Sequence, residues 1–202
     1  MKRWAIRSLV LLLVVETALL VPVAYSEYLR FTYTQTLAKW AAKAVPPKSV
    51  FIGDSVTAGG RSFNDWRDVN LASNGLQTYQ IAASLPAALA LSPRHVVVMA
   101  GTNDAVEGPI DPAELAGLWR TICAEPKVVV TLVSPTTSDV LNARIAQLNS
   151  ITRRQCGGRK IINLSALAGK DGRIRPQYTV DGTHLSPAGN AVWQAKLRRI
   201  GI

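Results

Sequence analysis

The sequence predicts an α/β domain in which helices cover both faces of a five-stranded parallel sheet. From residue 50 onward, short runs of mainly apolar residues alternate with stretches that have helical spacing. The run 95–100 is almost continuously apolar, which is typical of a strand buried on both faces. Strands that alternate with helices form parallel sheets, because each helix returns the chain to the start of the next strand. The chain has 202 residues, which is enough for one such domain.

The elements follow from where apolar residues cluster and where helical spacing begins. Strands are expected over 50–52, 69–72, 95–100, 128–133 and 160–164. Helices are expected over about 78–91, 111–123, 139–154 and 186–199.

Capping residues support the helix boundaries. Asp111 can cap the second helix, with Pro112 at its first position and Glu114 at its third. Ser186 can cap the last helix in the same way, since a proline follows it at the first helical position. Gly157, in a pair of glycines, is expected to end the third helix after two arginines.

The N-terminal segment is expected to direct export. A basic start precedes a mostly apolar run over 9–24, and we interpret residues 1–26 as a signal peptide or a signal anchor. Glu16 interrupts the run and would be costly at mid-bilayer, so cleavage and membrane tethering both stay open. Residues 27–47 form a helical linker in this interpretation, and 48–202 form the folded domain. The protein is therefore expected to be periplasmic or extracellular, with membrane anchoring left open.

The net charge of +10 indicates that a binding partner would be anionic. A basic chain can bind nucleic acid, but no basic-aromatic motif or zinc-finger spacing is present, so we expect no nucleic-acid partner. A basic surface is equally suited to anionic lipid or acidic glycan.

The few histidines and cysteines predict neither a metal site nor a cofactor. His95, His184, Cys123 and Cys156 have no recognised metal-ligand spacing. Cys123 and Cys156 lie near the ends of two predicted helices, and they could form a disulfide in an exported protein or remain buried free thiols.

Four predicted loops carry residues suited to nucleophilic catalysis. Ser55, Gly75 and Asn103 follow the first three strands, while Asp181 and His184 lie in the loop before the last helix. All loops after the carboxyl ends of parallel strands lie at one edge of the sheet, where ligands bind in such folds. These residues can therefore meet.

The chemistry of each residue type assigns its role. Ser55 is the candidate nucleophile, His184 the base that removes its proton, and Asp181 the group that orients His184. The backbone N–H groups of Ser55 and Gly75 and the side-chain amide of Asn103 are candidate donors to the oxyanion.

With these residues in place, the chain resembles the SGNH hydrolases, also called the GDSL lipase/esterase superfamily. The four blocks that carry the resemblance are Gly53-Asp54-Ser55, Asn70-Leu71-Ala72-Ser73-Asn74-Gly75, Gly101-Thr102-Asn103-Asp104 and Asp181-Gly182-Thr183-His184-Leu185-Ser186-Pro187-Ala188-Gly189. The resemblance spans about residues 50–199 and implies a flavodoxin-like, three-layer α/β/α sandwich. It also implies metal-free hydrolysis of esters or thioesters.

The expected function is that of an exported serine esterase that hydrolyses small acyl esters, such as acetyl esters, through an acyl-enzyme intermediate. The expected substrate is a small ester, an acylated glycan or a lipid. Two alternatives are a lysophospholipase or thioesterase, and a non-catalytic envelope module of the same fold that binds glycan.

Overall fold

The centre of the domain is a sheet of five parallel strands in the order β2-β1-β3-β4-β5. A computed structural model describes residues 46–60, 68–108 and 111–202. The strands are β1 Ser49–Gly53, β2 Val69–Asn70, β3 His95–Met99, β4 Val128–Thr131 and β5 Lys160–Ile162. This strand order is that of the flavodoxin-like doubly wound sheets. The predicted fold class is confirmed.

Six α-helices connect or follow these strands in the described part of the chain. They are α1 Ser55–Gly59, α2 Thr78–Leu89, α3 Thr102–Glu107, α4 Pro112–Ala124, α5 Asp139–Gln155 and α6 Pro187–Arg199. Two 3-10 helices, Ser165–Leu167 and Pro176–Tyr178, lie between β5 and α6. The four longer helices agree with the predicted ones. Helices α1 and α3 were not predicted from the sequence, because helices of one or two turns do not show a helical period.

The core lies on both faces of the sheet. On one face, the α6 residue Trp193 packs edge-on against Phe51 of β1, with ring centroids 6.5 Å apart. On the other side, α4 packs against both α2 and α5. The α4 residue Trp119 is only 1% exposed there. Helices on both faces make the three-layer sandwich that the resemblance implies.

Strands β2, β4 and β5 are shorter than predicted. Leu132 and Val133 were expected in β4 but follow it, although both are buried. The prediction was wrong there because burial alone produces an apolar pattern, whether or not the backbone pairs with a neighbouring strand.

A disulfide joins Cys123, near the end of α4, to Cys156, the residue that follows α5. Their Cα atoms are 5.4 Å apart, which lies within the usual range for a disulfide. The sequence left open whether these cysteines form a disulfide or remain buried free thiols, and in the structure they form the disulfide.

The predicted signal or anchor over 1–26 lies outside the described residues, as does the linker up to residue 45. None of the helices in the described part of the chain combines the length and the apolar character needed to cross a membrane.

Candidate active site

The nucleophile candidate lies on a tight turn between β1 and α1. A Cβ at Gly53 would lie 2.2 Å from Thr57 Oγ1 and 2.7 Å from the carbonyl oxygen of Met99, so only glycine fits. Asp54 caps α1, since its carboxylate accepts a hydrogen bond of 3.0 Å from the backbone N–H of Val56. The turn thus presents Ser55 at the carboxyl end of β1, half-buried.

Asp54 is fully buried next to the candidate nucleophile, Ser55. Burial raises the pKa of its carboxyl group, and the Thr102 side chain and the backbone N–H groups of Val56 and Thr57 oppose that rise. Because its hydrogen bond holds the turn rather than the His184 ring, Asp54 is a positioning residue for Ser55.

Ser55, His184 and Asp181 form a continuous hydrogen-bonded relay. Ser55 Oγ lies 2.8 Å from His184 Nε2, and His184 Nδ1 lies 2.6 Å from Asp181 Oδ2. The two histidine nitrogens therefore face different partners. With the proton on Nδ1, Nε2 is left to accept the serine proton. The structure brings all three predicted catalytic residues together.

Asp181 is held in the anionic state by the loop around it. Its Oδ1 accepts hydrogen bonds from the backbone N–H groups of His184, at 2.8 Å, and Thr183, at 3.0 Å. These bonds, followed by the one to the His184 ring, lower the pKa of Asp181 to about 2. The carboxylate is therefore charged at any pH near neutrality, although its side chain is 51% exposed.

Thr179 closes the loop that carries Asp181 and His184. Its hydroxyl accepts a hydrogen bond from the backbone N–H of Gly182 and donates one to the carbonyl oxygen of His184, both at 2.8 Å. Gly182 has a φ of +93°, and a Cβ there would lie 2.3 Å from Thr137 Oγ1. The role of Thr179 was not predicted from the sequence, because a threonine two residues before an aspartate is not in itself indicative of a functional loop.

The predicted oxyanion donors lie on two loops that are tied together. Asn103 Nδ2 donates a hydrogen bond of 2.9 Å to the carbonyl oxygen of Leu76, next to Gly75. An amide nitrogen has two hydrogens, so one N–H of Asn103 is oriented by Leu76 while the second can serve an oxyanion. Gly75 itself is exposed and has a φ of +75°, a conformation that favours glycine.

Two further side chains fix these loops. Asp104 accepts hydrogen bonds from the backbone N–H and the hydroxyl of Thr78, so it joins α3 to the start of α2. Asn70 donates to the carbonyl oxygen of Thr57 at 2.9 Å and accepts from the backbone N–H of Ala72 at 3.0 Å. In the sequence, Asn70 was notable only as the first residue of the block that ends at Gly75. The structure makes it the link between α1 and the loop that carries Gly75.

The relay and the two donor loops lie where the order of the strands reverses, between β1 and β3. Ser55 follows β1 and Asn103 lies at the start of α3, directly after β3, and these two strands are neighbours. In doubly wound folds, the crevice at the carboxyl ends of such a strand pair is where ligands bind. The arrangement can thus activate a serine hydroxyl and offer donors to a developing negative charge.

The sequence matches a family of known proteins. The model of the GDSL-like lipase/acylhydrolase family matches residues 51–192, about two thirds of the chain. A search of curated proteins gives no match.

Solved structures share the fold. A GDSL-like lipase from Bacteroides thetaiotaomicron is 24% identical with a TM-score of 0.70, over 84% of this chain and 97% of the other. A lipase/acylhydrolase from Enterococcus faecalis is 19% identical with a TM-score of 0.62, over 76% and 94%. A member of the lipolytic G-D-S-L family from Veillonella parvula is 18% identical with a TM-score of 0.62, over 76% and 97%.

Proposed function

The chain belongs to the GDSL-like lipase/acylhydrolase family, and we propose that it is an exported serine esterase that hydrolyses small acyl esters through an acyl-enzyme intermediate. The observation that carries the proposal is the unbroken relay from Ser55 Oγ through the His184 ring to Asp181. A serine hydroxyl is a weak nucleophile until an adjacent base accepts its proton, and the relay supplies that base.

The reaction begins when Ser55 Oγ attacks the ester carbonyl carbon while His184 Nε2 accepts the hydroxyl proton. Asp181 keeps the other proton on Nδ1 and stabilises the imidazolium that forms. The imidazolium then donates its proton to the alcohol oxygen as the ester bond breaks. The alcohol departs, and the acyl group remains bound to Ser55 Oγ. Water then attacks the acyl carbonyl carbon while His184 Nε2 accepts one of its protons. The imidazolium donates that proton to Ser55 Oγ as the bond to the acyl group breaks, and the acid is released.

The negative charge of the tetrahedral intermediate needs donors that are already in place. The backbone N–H groups of Ser55 and Gly75 and the second amide hydrogen of Asn103 fill this role in the proposal. The hydrogen bond from Asn103 to Leu76 supports it, since it orients the amide before substrate binds.

A small acyl group suits the shallow surroundings of the relay. The side chains of His184 and Asp181 are 41% and 51% exposed, so the relay lies near the surface rather than at the end of a long apolar tunnel. An acetyl ester on an envelope glycan is one substrate of this kind. Export is supported by the Cys123–Cys156 disulfide, because such bonds persist in oxidising compartments.

The test is hydrolysis of p-nitrophenyl acetate, butyrate and octanoate by the full chain in mild detergent. We expect activity that falls with acyl length and is abolished in Ser55→Ala. Ser165→Ala removes an exposed serine from a 3-10 helix and serves as the matched control, with unchanged activity. Equal activity of Ser55→Ala and the wild type would refute the mechanism. A preference for octanoate would refute the small-ester assignment and favour a lysophospholipase or thioesterase.

A further inference from the structure

Basic side chains collect at the edge of the sheet opposite the relay, where the strands begin and α4, α5 and α6 end. We define the basic face as Lys48, Arg94, Lys127, Arg153, Arg154, Arg159, Lys160, Lys196, Arg198 and Arg199. In the described residues, the acidic side chains at this edge are those of Asp68 and Glu125, so ten basic side chains are accompanied by two acidic ones.

Four members of the basic face form a row across the sheet. Lys48, Arg94, Lys127 and Lys160 stand at the starts of β1, β3, β4 and β5, which are adjacent strands. The backbone N–H of Arg94 donates to the carbonyl oxygen of Lys48, and that of Val96 donates to the carbonyl oxygen of Lys127. Successive strands are about 4.8 Å apart, so the row is dense in charge.

The positive charges also meet around His95. Burial, followed by the charges of Lys160, Lys48 and Arg94, lowers the pKa of this half-buried histidine. Residues from three strand starts therefore lie close enough to His95 to act on it together.

Helix stabilisation explains only part of this surface. Basic residues in the last turns of α5 and α6 offset the partial negative charge at a helix C-terminus. The start of a β-strand carries no comparable charge, since strand dipoles largely cancel. Lys160 does have a local role at a helix end, since its Nζ donates a hydrogen bond of 3.2 Å to the carbonyl oxygen of Ile200, just after α6. Within the described residues, the side chains of Arg94 and Lys127 make no hydrogen bond or ion pair, and an external anionic partner would account for the excess of positive charge around them.

The chain enters the domain at this same edge. Residue 46 lies immediately before β1, and the sequence that precedes it contains the apolar run 9–24 and the aromatic residues Tyr25, Tyr28, Phe31 and Tyr33. Apolar runs with flanking aromatic residues are typical of segments that insert into or lie against a bilayer. An anionic lipid surface is therefore the partner that fits both the charge and the point of entry.

We propose that the basic face docks on anionic phospholipid headgroups and thereby holds the active site away from the membrane. β1 has five residues, each of which advances the chain about 3.3 Å, so the strand alone spans about 16 Å from the basic face to the turn that carries Ser55. What this orientation means for the substrate rests on the proposed function. If the protein is an esterase, the ester would come from the aqueous space or a glycan rather than from the bilayer beneath the protein.

Lysine acetylation followed by mass spectrometry tests the docking on the full chain. The chain is reconstituted in vesicles of phosphatidylcholine, with or without phosphatidylglycerol. Phosphatidylglycerol should slow labelling of Lys127 and Lys160 severalfold, because docking covers them. Lys170 is exposed in the loop that follows β5, at the catalytic edge, and should label at the same rate in both vesicles. Equal rates at Lys127 in both vesicles, or equal protection of Lys170, would overturn the proposal.

Charge removal supplies a second test. Each neutralised residue should weaken docking about fivefold, so Arg94→Gln/Arg199→Gln should lower the affinity for anionic vesicles about 25-fold. The labelling rate of Lys127 should then return close to its rate in vesicles without phosphatidylglycerol. The charge-matched control Arg120→Gln/Lys170→Gln lies outside the basic face and should keep full protection of Lys127. Protection by an acidic polysaccharide or DNA that equals the protection by phosphatidylglycerol would overturn the assignment to lipid.

Hydrolysis of p-nitrophenyl acetate separates this proposal from the proposed function. The variant Arg94→Gln/Arg199→Gln should retain wild-type hydrolysis in detergent, since both residues lie far from Ser55. Protection of Lys127 without Ser55-dependent hydrolysis would leave docking intact and refute the esterase. Hydrolysis without protection would refute docking alone.

Discussion

Replacing Asp181 with asparagine tests how the proposed base, His184, is oriented. In the wild type, Asp181 Oδ2 lies 2.6 Å from His184 Nδ1, and Oδ1 accepts hydrogen bonds from two backbone N–H groups of the same loop. Asparagine keeps one oxygen for the backbone donors, so the loop should retain its conformation. Its NH₂ group would then face Nδ1, and a donor there forces the proton of the neutral imidazole onto Nε2.

The expected loss follows from that change of tautomer. A proton on Nε2 leaves His184 no lone pair toward Ser55, only 2.8 Å away, so the serine is not activated. The corresponding Asp-to-Asn change in a serine protease triad lowers kcat by about 10⁴-fold. We expect Asp181→Asn to lower kcat by about 10³- to 10⁴-fold, with KM changed much less because Asp181 faces His184 and not the bound ester.

The assay is steady-state hydrolysis of p-nitrophenyl acetate, with circular dichroism to check the fold. Asp171→Asn is the matched control, since Asp171 is an exposed carboxylate that accepts a hydrogen bond from the backbone N–H of Arg173. It should retain wild-type kcat. If folded Asp181→Asn kept more than about a tenth of the wild-type kcat, orientation of His184 by Asp181 would not be the source of activity.

Three further outcomes are expected. Asn103→Ala should lower kcat by roughly 10²- to 10³-fold through loss of one oxyanion donor, and unchanged turnover would exclude Asn103 from that role. The pKa of Asp181 is lowered from 3.8 to about 2, so its charge stabilises the fold above about pH 4 and this contribution is lost as the pH falls through about 2. Urea unfolding should therefore show a gap between wild type and Asp181→Asn of about 1 kcal/mol or less at pH 6, because the group is exposed, and a smaller gap at pH 3. Cys123→Ala/Cys156→Ala should lose about 3–4 kcal/mol of stability, since the bond closes a loop across a sequence separation of 33, while kcat stays unchanged; an equal urea midpoint would contradict this.

The architecture could be predicted because each level of the sequence agrees with the next. The apolar run 95–100 predicts a strand that is buried on both faces. Asp111 predicts the start of α4, and its side chain accepts hydrogen bonds there from the backbone N–H groups of Ala113 and Glu114. Strand lengths could not be obtained in this way. Leu132 and Val133 are as buried as strand residues, yet periodicity cannot separate a paired backbone from one that is merely covered.

The site was predictable to the extent that it depends on topology and residue chemistry. Placing Ser55 and Asn103 after strands already puts them at one edge of a parallel sheet, and only a histidine in a loop at that edge can reach the serine. The pairing of Cys123 with Cys156 was not predictable in the same sense. It depends on the separation of two helix ends, and helical spacing gives no information on how α4 and α5 pack.

The two distances in the relay are set differently, one within a single loop and the other between segments that are far apart in the chain. Asp181 and His184 are three residues apart, and Thr179 and Gly182 close their loop by short-range hydrogen bonds, so this half of the site is formed locally. Ser55 is 129 residues from His184, and its turn is set by the absence of a side chain at Gly53. The sheet therefore has to place only two preformed pieces within hydrogen-bond distance. Because the orientation of His184 comes from its own loop, a change that shifts that loop without unfolding the domain should lower kcat while the turn at Ser55 stays intact.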